Sequence, residues 1–137
     1  MRRISQVTEM PVFQLFHQLA IEVERITRAF GPDFRWLRVQ SLRSSESVCA
    51  NMTEGFYSQY STEYLQSLFR SRREARETMG HIRYAMDVHQ MTESVARKAL
   101  ASYEDALTQL SSLIGSIESK IREKGKAKEY PMLVKDL

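Results

Sequence analysis

The chain has 137 residues, of which 42% are hydrophobic and 27% charged, which is enough to bury one core but too few for two domains. Its net charge of +3 and isoelectric point near 9.1 permit contact with anionic partners without requiring it. A single cysteine excludes an internal disulfide, and no apolar run approaches membrane-spanning length. We therefore expect one domain over residues 1–137, located in the cytoplasm and not in a membrane.

The first predicted helix covers about residues 9–30. Pro11 suits a first helical turn, and Gly31-Pro32 is expected to end the helix. His17 lies among the apolar positions and is expected to be partly buried and hydrogen-bonded. Those positions alternate spacings of four and three, the pattern of one buried face: Val12, Phe16, Leu19, Val23, Ile26 and Phe30.

The second predicted helix covers about residues 36–56 and has an unusually small packing face. Its apolar stripe consists of Leu42, Cys49, Met52 and Phe56, with Ser45 between them. Small side chains of this kind allow a neighbouring helix to approach closely: Ser41, Ser44, Ser45, Ser47 and Ala50.

The third predicted helix covers about residues 62–89, with Ser61 or Thr62 as its cap. Arg72 occupies one position of its apolar seam. We expect the aliphatic stem of Arg72 to pack while its guanidinium reaches water or an acid. The whole seam is Leu65, Leu68, Arg72, Ala75, Met79, Ile82 and Met86.

The fourth predicted helix covers about residues 93–124 and has the most regular pattern, Leu100, Tyr103, Leu107, Leu110, Ile114, Ile117 and Ile121. A charged tail, 125–137, follows, and its Met132-Leu133-Val134 segment is a candidate for docking on the bundle or on a neighbour. Because the connections are short, consecutive helices must be antiparallel. The sequence therefore predicts an all-α, up-down-up-down four-helix bundle.

Catalytic motifs are missing from this sequence. A di-iron or di-manganese bundle needs Glu-x-x-His motifs, but Gln14, Thr78 and Met86 stand three residues before the histidines. There is no phosphate-binding glycine loop, no Gly-x-Ser-x-Gly elbow and no cysteine pair. We expect neither an enzyme nor a bound metal, cofactor or small-molecule substrate.

Basic residues concentrate in two regions that are candidates for nucleic-acid contact. The third helix carries Arg70, Arg72, Arg73, Arg76 and Arg83, and a second region contains Lys120, Arg122, Lys124, Lys126 and Lys128. Tyr57, Tyr60, Tyr64 and Phe69 offer possible stacking surfaces. The alternative is an ordinary solvated or subunit-facing helix, with Arg70 paired to Glu74 and Arg73 paired to Glu77.

Polar residues beside the seam of the second helix predict a structural network. Asn51 and Glu54 lie three residues apart, so both fall near a packing face, where polar groups require partners. We expect a network of Asn51, Glu54, either Arg43 or Arg72, and Glu77 that fixes helix register or a subunit contact.

Residues 41–56, SLRSSESVCANMTEGF, resemble the second-helix signature of small bundle proteins encoded in intervening sequences of bacterial 23S ribosomal RNA genes. The likeness extends through residues 61–65, and Arg72 and Glu77 fall where this family carries Arg and Glu. Asn51, Glu54, Gly55 and Glu77 are the matching motif residues. Glu46 and Cys49 depart from the pattern.

The resemblance implies a homo-oligomer, commonly a pentameric ring, without known enzymatic activity. Similar bundles include the accessory protein of diversity-generating retroelements, which works with a reverse transcriptase and contacts nucleic acid. The leading hypothesis is a non-catalytic, oligomeric bundle that binds structured RNA or DNA, or a nucleoprotein partner. The alternative is a protein-interaction scaffold without direct nucleic-acid contact.

Overall fold

The computed structural model describes residues 4–124, which form four α-helices and no β-strand. The helices are α1 (Pro11–Thr27), α2 (Arg35–Phe56), α3 (Ser61–Asp87) and α4 (Glu93–Lys124). Short 3-10 helices at Val7–Glu9 and Pro32–Phe34 precede α1 and α2. The predicted all-α class is confirmed, whereas residues 125–137, including the Met132-Leu133-Val134 segment, lie outside the described residues.

Consecutive helices are antiparallel, as contacts between α2 and α3 demonstrate. Trp36 contacts Tyr84, Arg43 binds Glu77, and Asn51 accepts a hydrogen bond from Arg70, so the partner's number falls as the α2 number rises. Packing of α1 against α4 closes the bundle. The predicted seams supply most of its core, in which Leu37, outside every predicted seam, is also fully buried. The fully buried side chains from the seams include Phe16, Met52, Phe56, Leu68, Ile82, Tyr103, Leu110 and Ile117.

Small hydroxylated residues fill the interface between α2 and α3, as the serine-rich face predicted. Ser41, Ser44 and Ser45 are buried, whereas Ser47 is half-buried and Ala50 is exposed. The Ser44 Oγ and Thr78 Oγ1 atoms lie 2.6 Å apart, and Ser71 Oγ donates to the Val48 carbonyl at 2.8 Å. These hydrogen bonds satisfy polar groups that would otherwise be costly to bury.

Gly55 marks the closest approach of α2 to α3. A Cβ added there would overlap the side chain of Ser67 and lie 3.2 Å from Cδ1 of Tyr64. Glycine therefore stands at the end of the Asn51–Gly55 motif because no larger residue fits against α3.

Helix α1 ends at Thr27, three residues before the predicted Phe30. Gly31 is extended, with φ −67° and ψ 164°, because a residue before proline avoids the helical region. The Gly31 N–H donates instead to Oε1 of Gln90 at 2.7 Å, which ties the α1–α2 connection to the α3–α4 connection. Phe30 still packs against the core although it lies outside the helix.

His89 ends α3 in a left-handed conformation, with φ 62°. Its N–H donates to the Met86 carbonyl, and the Gln90 N–H donates to the Ala85 carbonyl at 2.8 Å. This is a Schellman motif, in which glycine normally occupies the left-handed position.

Candidate nucleic-acid interface

The arginines of α3 divide between two faces of the helix. Arg70 points towards α2, where its Nε donates to Asn51 Oδ1 at 3.4 Å. The guanidinium carbon of Arg72 lies 5.1 Å from the centroid of the Phe69 ring, so Arg72 makes a cation–π contact, which was neither of the two expected environments, water or an acid. Arg73, Arg76 and Arg83 are exposed and form no ion pair within residues 4–124.

The alternative pairing, of Arg70 with Glu74 and of Arg73 with Glu77, does not form within residues 4–124. Glu74 and Glu77 turn to α2 instead, where Arg43 lies 2.6 Å from Glu77 and 3.5 Å from Glu74. The hydrogen bond and the charge of Glu77 raise the pKa of Arg43. Because these two acids bind Arg43, the α3 positive charges of Arg73 and Arg76 are left without a counter-ion among the described residues.

A groove with both polar and apolar lining residues, Met79 and Leu107 among the apolar ones, runs between α3 and α4 beside Arg76 and Arg83. It has a volume of about 770 Å³ and contains Arg76 and Arg83 on one wall. The opposite wall presents hydroxyl groups and one acid, from Glu104, Thr108, Ser111 and Ser112. Arginine and hydroxyl side chains are the common donors to phosphate oxygens, so this groove has the chemistry of a nucleic-acid backbone site.

The second basic region lies at the far end of α4. Arg122 and Lys124 are exposed and Lys120 is half-buried, while Lys126 and Lys128 lie outside the described residues. Because α3 and α4 are antiparallel, the end of α4 lies near the start of α3, about 30 Å along the bundle from Arg83. The structure therefore does not bring Arg83 together with Lys120, Arg122 or Lys124.

The predicted stacking residues near the start of α3 are not available as a group. Tyr64 is fully buried, its hydroxyl contacts Met10 Sδ at 3.2 Å, and burial raises its pKa. Phe69 is half-buried and covered by Arg72. The prediction of an aromatic surface there is wrong for these two residues, because the helical period places Tyr64 in the core and Phe69 at its edge beneath Arg72.

An exposed aromatic pair lies at the opposite end of α3. Trp36 and Tyr84 are 52% and 46% exposed, and their ring centroids are 5.8 Å apart. The sequence patterns do not indicate either residue as part of a site, because Trp36 and Tyr84 both lie outside the apolar seams. The signal available in the sequence was the presence of two large aromatic residues at helix positions outside the apolar seams.

The predicted polar network forms only in part. Arg43 rather than Arg72 binds Glu77, and Asn51 donates from Nδ2 to the Ser47 carbonyl at 2.9 Å besides accepting from Arg70. Glu54 is exposed at the rim of a groove and takes no part in this network. The predicted role of Glu54 in the network is therefore wrong, since Glu54 lies on the side of α2 that faces α1 and solvent.

That second groove, of about 740 Å³, separates α1 from α2 and is largely apolar. Phe13, Ile21 and Leu42 line it, and Cys49 lies at its floor. Burial, and then the charge of Glu46, raises the pKa of the Cys49 thiol to about 12. His17 is exposed there and stacks on Phe13 at 5.9 Å, so its predicted partial burial is wrong.

Residues 4–124 contain neither a cluster of metal-binding side chains nor a membrane-spanning helix. No three histidine, cysteine or acidic side chains of that range are arranged to hold a metal ion. Among its helices, none combines the length and the apolar character that crossing a bilayer requires.

The fold and the surface together define a small all-α bundle with a tightly packed α2–α3 pair and an unpaired arginine face. The chain belongs to the family of 23S rRNA-intervening sequence proteins, which it matches over residues 8–114. The resemblance found in the sequence is therefore confirmed. No curated protein matches the chain.

Proposed function

We propose that this protein is a non-catalytic bundle that binds structured RNA or DNA through the α3–α4 groove. The observation that supports the proposal is the set of three exposed arginines, Arg73, Arg76 and Arg83, without acidic partners in the described range. Acids on the neighbouring turns bind Arg43 instead, so phosphate is a suitable counter-ion for these side chains.

The spacing of the arginines suits a nucleic-acid backbone. Arg76 and Arg83 are seven residues apart, which places them on one stripe of α3 about 10 Å apart along the axis. Arg73 lies one turn before Arg76. Such a row can reach successive phosphates of one nucleic-acid strand, or phosphates on the two sides of a groove of the nucleic acid. Thr108, Ser111 and Ser112 add neutral hydrogen-bond donors.

The family supports an association with RNA, since its members are named for intervening sequences of 23S rRNA. The single free cysteine fits a reducing compartment, so the proposed location is the cytoplasm. Lys120, Arg122 and Lys124 serve in this proposal as a separate contact at the other end of the bundle, reached only by a long ligand or in an assembly.

The test compares two variants with the same change in charge. The first carries Arg73→Gln, Arg76→Gln and Arg83→Gln, and the second carries Arg25→Gln, Arg97→Gln and Lys98→Gln, which lie on α1 and α4 outside the α3–α4 groove. We expect the α3 variant to bind a structured RNA roughly tenfold more weakly or worse, and the control variant to bind nearly as the unchanged protein does. Equal binding by both variants would exclude the α3–α4 groove as the site.

A protein-interaction scaffold is the second candidate function, and the apolar groove between α1 and α2 favours it. Ile21 is 51% exposed beside Phe13 and Leu42, an arrangement that suits a helix of a neighbouring subunit or another protein. In this proposal the chain self-associates, and the resemblance favours a pentamer. Sedimentation of an Ile21→Lys variant, against an Arg73→Gln control, tests it, because only the first substitution should dissociate the assembly.

A further inference from the structure

The exposed pair of Trp36 and Tyr84 has no structural role that explains its position. The two rings project from α2 and α3 at 53° to each other and each leaves about half of its surface in solvent. Aromatic side chains of this size contribute most when buried, so an exposed pair is typical of a binding surface.

Open space adjoins the pair on the α3 side. Gly80 lies one turn before Tyr84, and no atom lies within 4 Å of a Cβ added there. Glycine inside a helix is unfavourable relative to alanine, and no packing within residues 4–124 requires it. Gly80 therefore leaves open space on the surface of α3 one turn before Tyr84.

Positive charge flanks the pair. Arg35 precedes Trp36 and Arg83 precedes Tyr84, and both arginines are exposed without an ion pair in the described range. Asp87, one turn after Arg83, does not bind it. Arg83 also belongs to the α3–α4 groove, so the aromatic pair continues the proposed phosphate site around the end of the bundle.

We propose that Trp36 and Tyr84 form a stacking site for unpaired nucleobases, an inference that rests on the proposed function and specifies its ligand. A nucleobase presents a flat face and carries phosphates on both sides along the strand, which matches an exposed aromatic ring face of Trp36 or Tyr84 flanked by arginines. The bases of a continuous duplex are already stacked and do not reach such a site. The preferred ligand is therefore a nucleic acid with a hairpin loop, a bulge or a single-stranded end.

The chain carries its own reporter, because Trp36 is its single tryptophan. The experiment titrates the full chain with an RNA hairpin and with a blunt duplex of the same phosphate count. We expect the hairpin to quench the Trp36 fluorescence and the duplex to bind without quenching. The hairpin should bind more tightly than the duplex, by roughly 5- to 100-fold for a stacked base.

Substitutions separate stacking from phosphate contact. Fluorescence anisotropy measures the affinity of a Trp36→Leu, Tyr84→Leu double variant for each RNA. Its affinity for the duplex should equal that of the unchanged protein, and its affinity for the hairpin should fall to its affinity for the duplex. Gly80→Leu should weaken hairpin binding selectively by filling the open space beside Tyr84, whereas Gly80→Ala should have little effect. Leu15→Ala, which shortens a 37% exposed apolar side chain on α1, is the control.

The outcomes distinguish this inference from the proposed function. Arginine-dependent binding of both ligands with equal affinity, and without quenching, would overturn the stacking site and leave the proposed function intact. Failure to bind either RNA would overturn both. A Trp36 emission that shifts with protein concentration alone would show that another copy covers the pair, and would also overturn the stacking site.

Discussion

Gly55→Ala is expected to be the most damaging single-methyl change in the bundle. The added Cβ would overlap both Cβ and Oγ of Ser67 and would approach Cδ1 of Tyr64 to 3.2 Å. Rotation of the Ser67 hydroxyl cannot relieve the overlap, because Cβ is fixed by the α3 backbone. The two helices must therefore separate at this level, which disturbs the neighbouring Ser71–Val48 hydrogen bond.

The expected magnitude combines three effects. Overpacking of a rigid site costs up to about 3 kcal/mol, and loss of the Ser67–Tyr64 hydrogen bond adds about 1 kcal/mol. Replacing a helical glycine with alanine returns about 1 kcal/mol. The free energy of unfolding should fall by about 3 kcal/mol, and at about 4 °C per kcal/mol for a domain of this size the Tm falls by about 12 °C.

Thermal unfolding followed by circular dichroism, at one protein concentration, measures this change. Gly80→Ala and Gly115→Ala are matched controls, because nothing lies within 4 Å of a Cβ added at either position, and each should raise the Tm by about 2–4 °C. Ser67→Gly in the Gly55→Ala background should restore most of the loss. A Gly55→Ala protein as stable as the original would refute the close approach of α2 to α3.

Three further changes test separate features. His89→Gly should raise the Tm by about 2–4 °C, because glycine adopts the φ of 62° without the cost that histidine bears; a lower Tm would contradict this explanation. Burial raises the pKa of Cys49 from 9.0 to about 12, so the protonated thiol stabilises the fold; this stabilisation is complete below pH 9.0 and is lost as the pH rises to about 12. Thermal melts across that pH range should show a falling Tm, and a smaller fall in Cys49→Ala. A double-mutant cycle of Arg43→Met and Glu77→Gln should give a coupling under about 1 kcal/mol, because both side chains are partly solvated; a coupling above about 2 kcal/mol would contradict this assessment.

The fold could be predicted because the information is local. Apolar residues at spacings of three and four define each helix, and the serine run of α2 indicates a close neighbour before that neighbour is known. The end of α1 was predicted three residues too late, since the periodic pattern continues through Phe30 although Pro32 forces Gly31 out of the helix.

The site was less predictable because it depends on which face of each helix meets which neighbour. The sequence leaves Arg43 and Arg72 as alternative partners of Glu77 and places Arg70 and Arg73 beside acids at the right spacing. The structure decides for Arg43, which binds Glu77 and also Glu74. The Trp36–Tyr84 contact joins residues that are 48 positions apart, so periodicity within one helix could not indicate it.

The salt dependence of RNA binding tests the central claim most directly. Each phosphate contact that an arginine makes contributes about 0.7–0.9 to the slope of log K against log salt. Replacing Arg73, Arg76 and Arg83 with glutamine should therefore reduce that slope by about 2–3, while the Arg25, Arg97 and Lys98 control keeps it. Equal slopes for the two variants would contradict phosphate binding by the α3 arginines.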